Sequence, residues 1–155
     1  MITVRPAKPE DADQATNLLR RSIAELCAAD YQDDAATLEN WLANKARENF
    51  LSRLVHDNNL CVVAEENSRL LGVGMILRKG TINLLYLLRG EQRRGIGKAI
   101  YLALERQARD WGLQKLALTS NRESRAFYES MGFWSTGDAV PWFGKVLSWP
   151  YEKIL

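Results

Sequence analysis

The sequence predicts an α/β fold with a mixed, mostly antiparallel central sheet flanked by helices, and three observations support it. Stretches with helical apolar spacing alternate with short apolar runs, in the order strand, two helices, three strands, helix, strand, helix and further strands. The run Leu60–Ala64 is continuously apolar and rich in β-branched residues, as expected for a central strand covered on both faces. The chain has 155 residues, 46% of them hydrophobic, and no Pro/Gly/Ser-rich linker, so we expect a single domain over residues 1–155.

The first third of the chain is expected to contribute one strand and two helical stretches. Residues Met1–Val4 suit a short strand, and Pro9 suits the first turn of the following helix, with Lys8 as its N-cap. Residues at helical spacing predict the buried face of that helix: Ala15, Leu18, Leu19, Ser22, Ile23, Leu26 and Cys27. A second helical stretch covers roughly Ala35–Val55 and is predicted to break near Asn44.

The remaining elements alternate between strands and helices. After Leu60–Ala64, apolar runs predict strands at Leu70–Leu77, Ile82–Leu88 and Lys115–Thr119, and near Phe133–Thr136 and Leu147–Ile154. Gly72 and Gly74 indicate a bulge or a close backbone contact in their strand. Helices are predicted over Ile96–Trp111 and Arg122–Met131, and the glycine after each suits its C-terminal end.

Positive charge is concentrated in one segment. The formal net charge is +2, and four basic residues lie together at Arg89, Arg93, Arg94 and Lys98. Such a cluster suits a small anionic ligand, whereas a nucleic-acid groove needs a broader basic surface with aromatic platforms. We therefore expect no nucleic-acid partner.

Cysteine and histidine are too sparse for a metal or redox centre. Cys27 and Cys61 are far apart and in no metal or redox spacing, so we expect two reduced, buried thiols. The single histidine, His56, excludes a site with two histidines and is expected in an exposed turn. The start has no apolar leader, and no apolar run approaches the roughly 20 residues that cross a bilayer. We expect a cytoplasmic protein with neither a metal nor a membrane partner.

The most informative segment is Gln92–Gly97, between a predicted strand and a predicted helix. A short Gly/Arg loop at that place exposes backbone N–H groups at the positive end of the helix dipole. Gly95 and Gly97 let the backbone approach an anion closely. Three flanking residues add positive charge: Arg93, Arg94 and Lys98. The loop therefore predicts a phosphate or pyrophosphate site.

Two common nucleotide loops do not fit this segment. A Walker A loop needs glycine at the position of Gln92 and serine or threonine at the position of Ala99. A dinucleotide fingerprint needs a third glycine where Ile100 stands. The segment instead follows the pattern Gln/Arg-x-x-Gly-x-Gly/Ala.

That pattern resembles the loop of the GNAT superfamily of N-acetyltransferases, where it wraps the pyrophosphate of acetyl-coenzyme A. Asn121–Phe133 resembles a later motif of the family, in which Asn is followed seven residues on by Tyr and then by Gly-Phe. Ile2–Ala7 with Pro9–Ala12 is similar to the family's first strand and helix start. The resemblance spans nearly the whole chain and implies an acetyl-CoA-dependent N-acetyltransferase whose two central strands splay apart to admit the cofactor.

The resemblance also implies roles for individual residues. It assigns cofactor binding to Leu87, Gln92, Arg93, Arg94, Gly95, Ile96, Gly97, Lys98 and Asn121. The backbone of Leu87 pairs with the pantetheine arm in that scheme, and Asn121 either holds cofactor amides or starts a helix. Tyr128 is the implied proton donor to the departing thiolate, since its reference pKa of about 10 is close to that of a thiol. The alternative is that Tyr128 packs in the core.

Two departures from the family pattern affect the mechanism. Arg93 stands where glycine is common, so it either crowds the loop or adds charge to it. Many members carry a glutamate on the strand before the loop as general base, whereas Ile82–Leu88 contains no acid. The candidates that remain for the base are Glu25, Asp30, Glu65 or a water molecule.

The resemblance places the acceptor pocket between residues 25–41 and 140–149. Aromatic residues there form a candidate lining: Tyr31, Trp41, Trp142, Phe143 and Trp149. Four acids, Glu25, Asp30, Asp33 and Asp34, are candidates for attracting a cation, although solvated surface is the simpler interpretation. The leading hypothesis is direct acetyl transfer, in a ternary complex, to a primary amine of a small molecule or peptide. A silent acyl-CoA sensor and a partner-binding domain are the alternatives, and a homodimer is expected by family analogy.

Overall fold

The computed structural model describes residues 1–55 and 58–155, in which the elements follow the predicted order. The strands are β1 (Thr3–Pro6), β2 (Asn59–Glu66), β3 (Arg69–Leu77), β4 (Ile82–Leu87), β5 (Lys115–Ser120), β6 (Trp134–Ser135), β7 (Val140–Pro141) and β8 (Leu147–Ile154). The helices are α1 (Ala12–Leu26), α2 (Ala28–Tyr31), α3 (Ala35–Leu42), α4 (Arg47–Leu54), α5 (Ile96–Asp110) and α6 (Arg125–Ser130). The turn expected at His56 lies outside the described residues.

The strands form two antiparallel sheets that meet at one corner. The first sheet has the order β1-β2-β3-β4, and the second has the order β5-β8-β6 with β7 also paired to β8. Within the described residues, β4 and β5 are joined by a single parallel bridge, between Thr81 and Ala117. The mixed, mostly antiparallel sheet that the sequence predicts is therefore confirmed.

Helices cover both faces of the first sheet. On one face, α5 packs its apolar side, Ile96, Ile100 and Leu104, into a core with β2 and β3. A Cβ added at Gly72 of β3 would lie 2.6 Å from Ile100 Cδ1, and one at Gly74 would also overlap Ile100. These two glycines therefore allow the close helix–sheet contact that the sequence indicated. On the other face, α1 and α4 pack against the alternate residues of the same strands.

A third core cluster joins the N-terminal helices to the C-terminal hairpin. Trp41 of α3 is fully buried there and stacks on Phe143, with ring centroids 6.1 Å apart. The backbone N–H of Lys145 donates to Thr37 Oγ1 at 3.2 Å, which fixes the hairpin loop to the start of α3. This cluster holds the segment between β7 and β8 beside the open end of the first sheet.

The structure corrects several predicted boundaries. The helical stretch Ala35–Val55 is interrupted near Asn44 as predicted, but α2 and β7 were missed because each is too short to show a periodic pattern. The expected N-cap Lys8 makes no side-chain cap; a 3₁₀ turn, Pro9–Asp11, precedes α1. Asp11 Oδ2 accepts the Lys8 N–H at 2.8 Å, so an acid inside the turn stabilises the start of α1.

Candidate active site

A cleft opens where β4 and β5 diverge beyond their bridge. Ala117 N–H donates to Gly80 O at 2.9 Å near that bridge, and within the described chain no strand pairs with the outer edge of β4 after it. Leu88 N–H donates to Leu71 O at 2.9 Å, toward β3. Because backbone groups alternate in direction along a strand, the N–H and C=O of Leu87 point into the cleft.

The loop before α5 forms one end of this cleft. Gly95 has φ +78° and precedes the first helical residue, Ile96. The first hydrogen bond of α5 runs from Ala99 N–H to Gly95 O, so the N–H groups of Ile96, Gly97 and Lys98 have no backbone acceptor in the described chain. No atom lies within 4 Å of an ideal Cβ at Gly95. Free donors, open space and a helix N-terminus therefore coincide, as a pyrophosphate requires.

Most of the predicted site residues line this cleft, which has a volume of about 810 Å³. They are Leu87, Gln92, Arg93, Gly95, Ile96, Gly97, Lys98 and Tyr128. Arg93 adopts a left-handed backbone with φ 65°, and its side chain faces the cleft, so this departure from glycine brings a cation to the site.

Two predicted residues lie elsewhere. Arg94 is absent from the cleft wall because it forms ion pairs with Glu91 at 2.6 Å and Glu66 at 3.1 Å. Asn121 lines a second, smaller cavity and donates from Nδ2 to Asp30 Oδ2 at 3.0 Å. Asp30 also accepts the backbone N–H groups of Arg122 at 2.7 Å and Glu123 at 3.4 Å. Asp30 therefore fixes the turn that precedes α6.

Tyr128 stands where the two cavities meet. Its ring packs edge-on against Phe127 and Phe133, with centroids 5.3 and 5.7 Å away, so it belongs to the core as well as to the cleft. Its hydroxyl makes no hydrogen bond within the described residues, and its side chain lines both cavities. Burial raises the pKa of Tyr128, so the phenol stays protonated and can donate.

The smaller cavity, of about 250 Å³, lies on the other side of that junction. It shares Leu85, Tyr86, Ser124 and Tyr128 with the larger cleft. Its further lining includes Thr81, Asn83, Thr119, Asn121 and Trp142. The two cavities thus adjoin at a common wall that includes Tyr128, and the Gln92–Gly97 loop lines only the larger one.

Comparison with known proteins agrees with this geometry. Residues 27–155 match the acetyltransferase (GNAT) domain family. The chain belongs to the GNAT acetyltransferase family. It is therefore an acyltransferase of the kind that uses acetyl-CoA as donor. A comparison with curated protein sequences gives no match.

Solved GNAT structures share the fold over the whole chain. A GCN5-related N-acetyltransferase from Rhodopseudomonas palustris superposes with a TM-score of 0.86 at 24% identity, covering 99% of this chain and 95% of that one. PaiA N-acetyltransferase from Thermoplasma acidophilum, solved with coenzyme A, gives 0.84 at 22% identity, covering 100% and 99%. Salmonella typhimurium yncA, solved with acetyl-CoA, gives 0.68 at 21% identity, covering 98% and 92%. At these identities the likeness establishes the fold.

Within this GNAT fold, none of the three side chains considered as general base lines either cavity. Glu25 pairs with Arg21 at 3.0 Å, and Glu65 pairs with Arg5 at 3.0 Å. Burial raises the pKa of Asp30, but both its oxygens are occupied by hydrogen bonds. Glu123, which sequence reasoning missed, lines the larger cleft as its one acid among the described residues.

The aromatic candidates for the acceptor pocket do not line one cavity together. Trp142 lines the smaller cavity, whereas Trp41 and Phe143 are packed together in the third core cluster. Tyr31 donates to Ala24 O at 2.7 Å, and Trp149 is covered by the guanidinium of Arg125, 4.3 Å from its ring centroid. Arg125 therefore stacks on Trp149 and donates to Tyr151 Oη at 2.9 Å, so it contributes no free cation to the cleft.

The described residues lack two further kinds of feature, a metal-binding cluster and a membrane-spanning helix. No group of three or more histidine, cysteine, aspartate or glutamate side chains is placed to hold a metal ion. None of the helices in the described ranges is both long enough and apolar enough to cross a membrane.

Proposed function

We propose that this protein transfers the acetyl group of acetyl-CoA to a primary amine by direct attack in a ternary complex. The observation that carries the proposal is the meeting of two cavities at Tyr128, one of which ends in the anion loop. A donor and an acceptor that enter from opposite sides meet at one buried hydroxyl. Holding both reactants there supplies much of the acceleration, because a bimolecular step becomes effectively unimolecular.

The larger cleft has the groups that acetyl-CoA needs. The free N–H groups at the start of α5 donate to the pyrophosphate, and Arg93 and Lys98 add positive charge beside them. The backbone of Leu87, on the open edge of β4, offers a donor and an acceptor to the amides of the pantetheine arm. Arg94 acts indirectly, since its ion pairs hold the loop to β2.

The chemistry requires one proton to leave the amine and one to reach the sulfur. The amine nitrogen forms the new bond to the carbonyl carbon as the carbon–sulfur bond breaks, and Tyr128 donates a proton to the sulfur. Burial raises the pKa of Tyr128, which weakens the donor, but burial acts on a thiol too: it raises the pKa of Cys27, in the same cleft, to about 12. Burial of the coenzyme's sulfur in the same cleft would likewise favour its protonated form.

The proton from the amine passes to water. Among the described residues, no acid lines the shared wall of the two cavities, and the candidate bases are engaged in other contacts. Glu123 lines the larger cleft but not the wall that the two cavities share, so a water chain is the proposed acceptor, and it serves best when the amine itself is largely neutral. The rate is then expected to rise with pH toward the pKa of the acceptor amine.

Calorimetric titration with acetyl-CoA tests the donor site, with ATP and NAD as controls. Gly95→Glu is expected to weaken acetyl-CoA binding by at least about 100-fold, because it adds a negative charge beside the pyrophosphate. Gly112→Glu is the matched control: Gly112 also has φ +78° and no atom within 4 Å of an ideal Cβ, but it lies beyond the other end of α5. Each substitution carries a similar backbone strain of roughly 1–2 kcal/mol.

Thiol release from acetyl-CoA in the presence of primary amines then tests the transfer. Turnover with at least one amine, lost in Gly95→Glu and kept in Gly112→Glu, is the expected result. Tight binding without turnover on any amine would favour an acyl-CoA sensor. Failure to bind either acetyl-CoA or coenzyme A would leave a partner-binding domain and overturn the proposal.

A further inference from the structure

The smaller cavity has an uncharged polar lining. Hydroxyl and amide side chains surround it: Thr81, Asn83, Thr119, Asn121 and Ser124. Trp142 adds an aromatic wall; it is 38% exposed, and its ring also packs against Trp41 and Phe143, with centroids 5.6 and 4.9 Å away. Among the described residues, no carboxylate and no ammonium or guanidinium group lines this cavity.

Two of the acids that the sequence offers for this site are used in contacts of their own. Asp30 accepts three hydrogen bonds from the Asn121–Glu123 turn. Asp34 caps α3 by accepting from Thr37 N–H at 3.0 Å and lies 3.7 Å from Lys145 Nζ. Glu123 lines the larger cleft and not the smaller cavity. None of these three carboxylates thus lines the smaller cavity, where a second cationic group of an acceptor would lie.

The size of the cavity limits the acceptor as well. Its volume of about 250 Å³ lies just below the roughly 300–1,000 Å³ of sites for drug-sized ligands. An ammonium group buried in a neutral cavity of this size loses its hydration without gaining a partner charge, which is costly. The reacting amine avoids this cost because it must be neutral to attack. A second amine on the same molecule stays charged and therefore bears the cost of lost hydration.

We propose that the acceptor is a small primary monoamine with an uncharged, partly apolar body, and that Asn83 sets this preference over diamines and polyamines. The inference rests on the proposed transferase function and narrows it. Asn83 lies on the exposed edge of β4 and lines the cavity, so a carboxylate introduced there would face the bound acceptor. The apolar part of the acceptor packs against Trp142, and its polar groups meet the hydroxyl and amide lining.

Steady-state kinetics with three amines tests the inference: 2-phenylethylamine, 1,5-diaminopentane and spermidine, each followed by thiol release from acetyl-CoA. The wild-type protein is expected to give a kcat/KM at least about tenfold higher for the monoamine than for either of the others. Asn83→Asp is expected to raise the diamine-to-monoamine ratio at least about tenfold, because opposite charges attract strongly at partly buried sites. Asn49→Asp, the same change at an exposed position on α4, should leave the ratio unchanged.

The outcomes separate this inference from the transferase function itself. Preference for spermidine in the wild type, or equal ratios in Asn83→Asp and Asn49→Asp, would overturn the inference and leave the transferase standing. Faster acetylation of a peptide N-terminus than of any free amine would overturn the small acceptor. Absence of turnover on every amine, with acetyl-CoA still bound, would overturn both. The dissociation constant for acetyl-CoA, measured on each variant, shows that the variant is folded.

Discussion

The two cavities of this protein meet at one tyrosine but are built in opposite ways. The larger cleft takes its character from one continuous segment, Gln92–Lys98, whose backbone N–H groups and cations suit an anion. The smaller cavity takes its lining from positions far apart in the chain, such as Asn83, Thr119 and Trp142, and is neutral. The proposed donor site is thus defined by a local motif, whereas the proposed acceptor site depends on how the two sheets and the hairpin come together.

The difference predicts how each side responds to substitution. A motif formed by backbone groups tolerates side-chain change outside its glycines, because its donors are present in every residue except proline. A cavity lined by side chains changes its preference with a single substitution. Variants on the two sides should therefore separate cleanly into effects on acetyl-CoA and effects on the acceptor.

Tyr128→Phe gives the largest expected effect on turnover at the junction of the two cavities. Loss of the proton donor should lower kcat about 100-fold or more, because general acid catalysis contributes typically 10²–10⁴-fold. The dissociation constant for acetyl-CoA should stay within about twofold of the wild type, since the ring and its contacts with Phe127 and Phe133 remain. Stopped-assay kinetics and calorimetry on the same preparation measure the two quantities.

Tyr101→Phe serves as the control for this change. Tyr101 is also buried, but its hydroxyl is bonded to Glu105 and Lys153 and it lines neither cavity. A fall in kcat of the same size in both variants would assign the effect to lost stability. Because burial raises the pKa of Tyr128, the wild-type enzyme should also keep its proton donor between about pH 8 and pH 10.

Lys98→Ala and Arg94→Ala compare a cation that lines the larger cleft with one that does not, and both are expected to change acetyl-CoA affinity less than Gly95→Glu does. Lys98 lines the cleft, so its loss should weaken acetyl-CoA binding about three- to tenfold at low salt and less at high salt. Arg94 is paired with Glu91 and Glu66 outside the cleft, so its loss should change the affinity less than about twofold. Equal losses in both variants would place Arg94 at the phosphates despite its ion pairs.

Cys27→Ser is expected to change the rate of acetyl transfer least among these variants, although Cys27 lines the larger cleft. Burial raises the pKa of Cys27 to about 12, so at about pH 8 roughly one thiol in 10⁴ is ionised, and the fraction rises with pH. The variant should keep most of its activity, and mass spectrometry of the wild type after incubation with acetyl-CoA should show no acetyl group on Cys27. A labelled Cys27 together with an inactive serine variant would replace direct attack by a covalent relay.

The sequence was sufficient for the fold and for the anion loop because both depend on local patterns. The helical spacing in α1 and α5 and the continuous apolar run in β2 survive in the structure nearly residue for residue. The exposed N–H groups at Ile96–Lys98 follow from a strand, a glycine loop and a helix in succession. In this loop, the local sequence could not predict that Arg94 pairs with Glu66, because Glu66 lies on another strand.

The acceptor side could not be predicted because its contacts are long-range. Asp30 looked like a free acid in the sequence, but its hydrogen-bond partners lie more than ninety residues away, at Asn121–Glu123. Trp41 and Trp142 looked equivalent, but α3 buries the first while the hairpin exposes the second. Such assignments depend on tertiary packing, which neither periodicity nor motif spacing encodes.

In the described chain, one parallel bridge between Thr81 and Ala117 joins the backbones of the two sheets, whose apolar side chains also pack in a common core with α5. At about 3.3 Å per residue, Leu87 lies about 20 Å along β4 from that bridge. Over this length no other strand of the described residues pairs with the outer edge of β4, and both cavities use β4 as a wall. A substitution at Leu85 or Tyr86, which line both cavities, is therefore expected to alter the binding of donor and acceptor together.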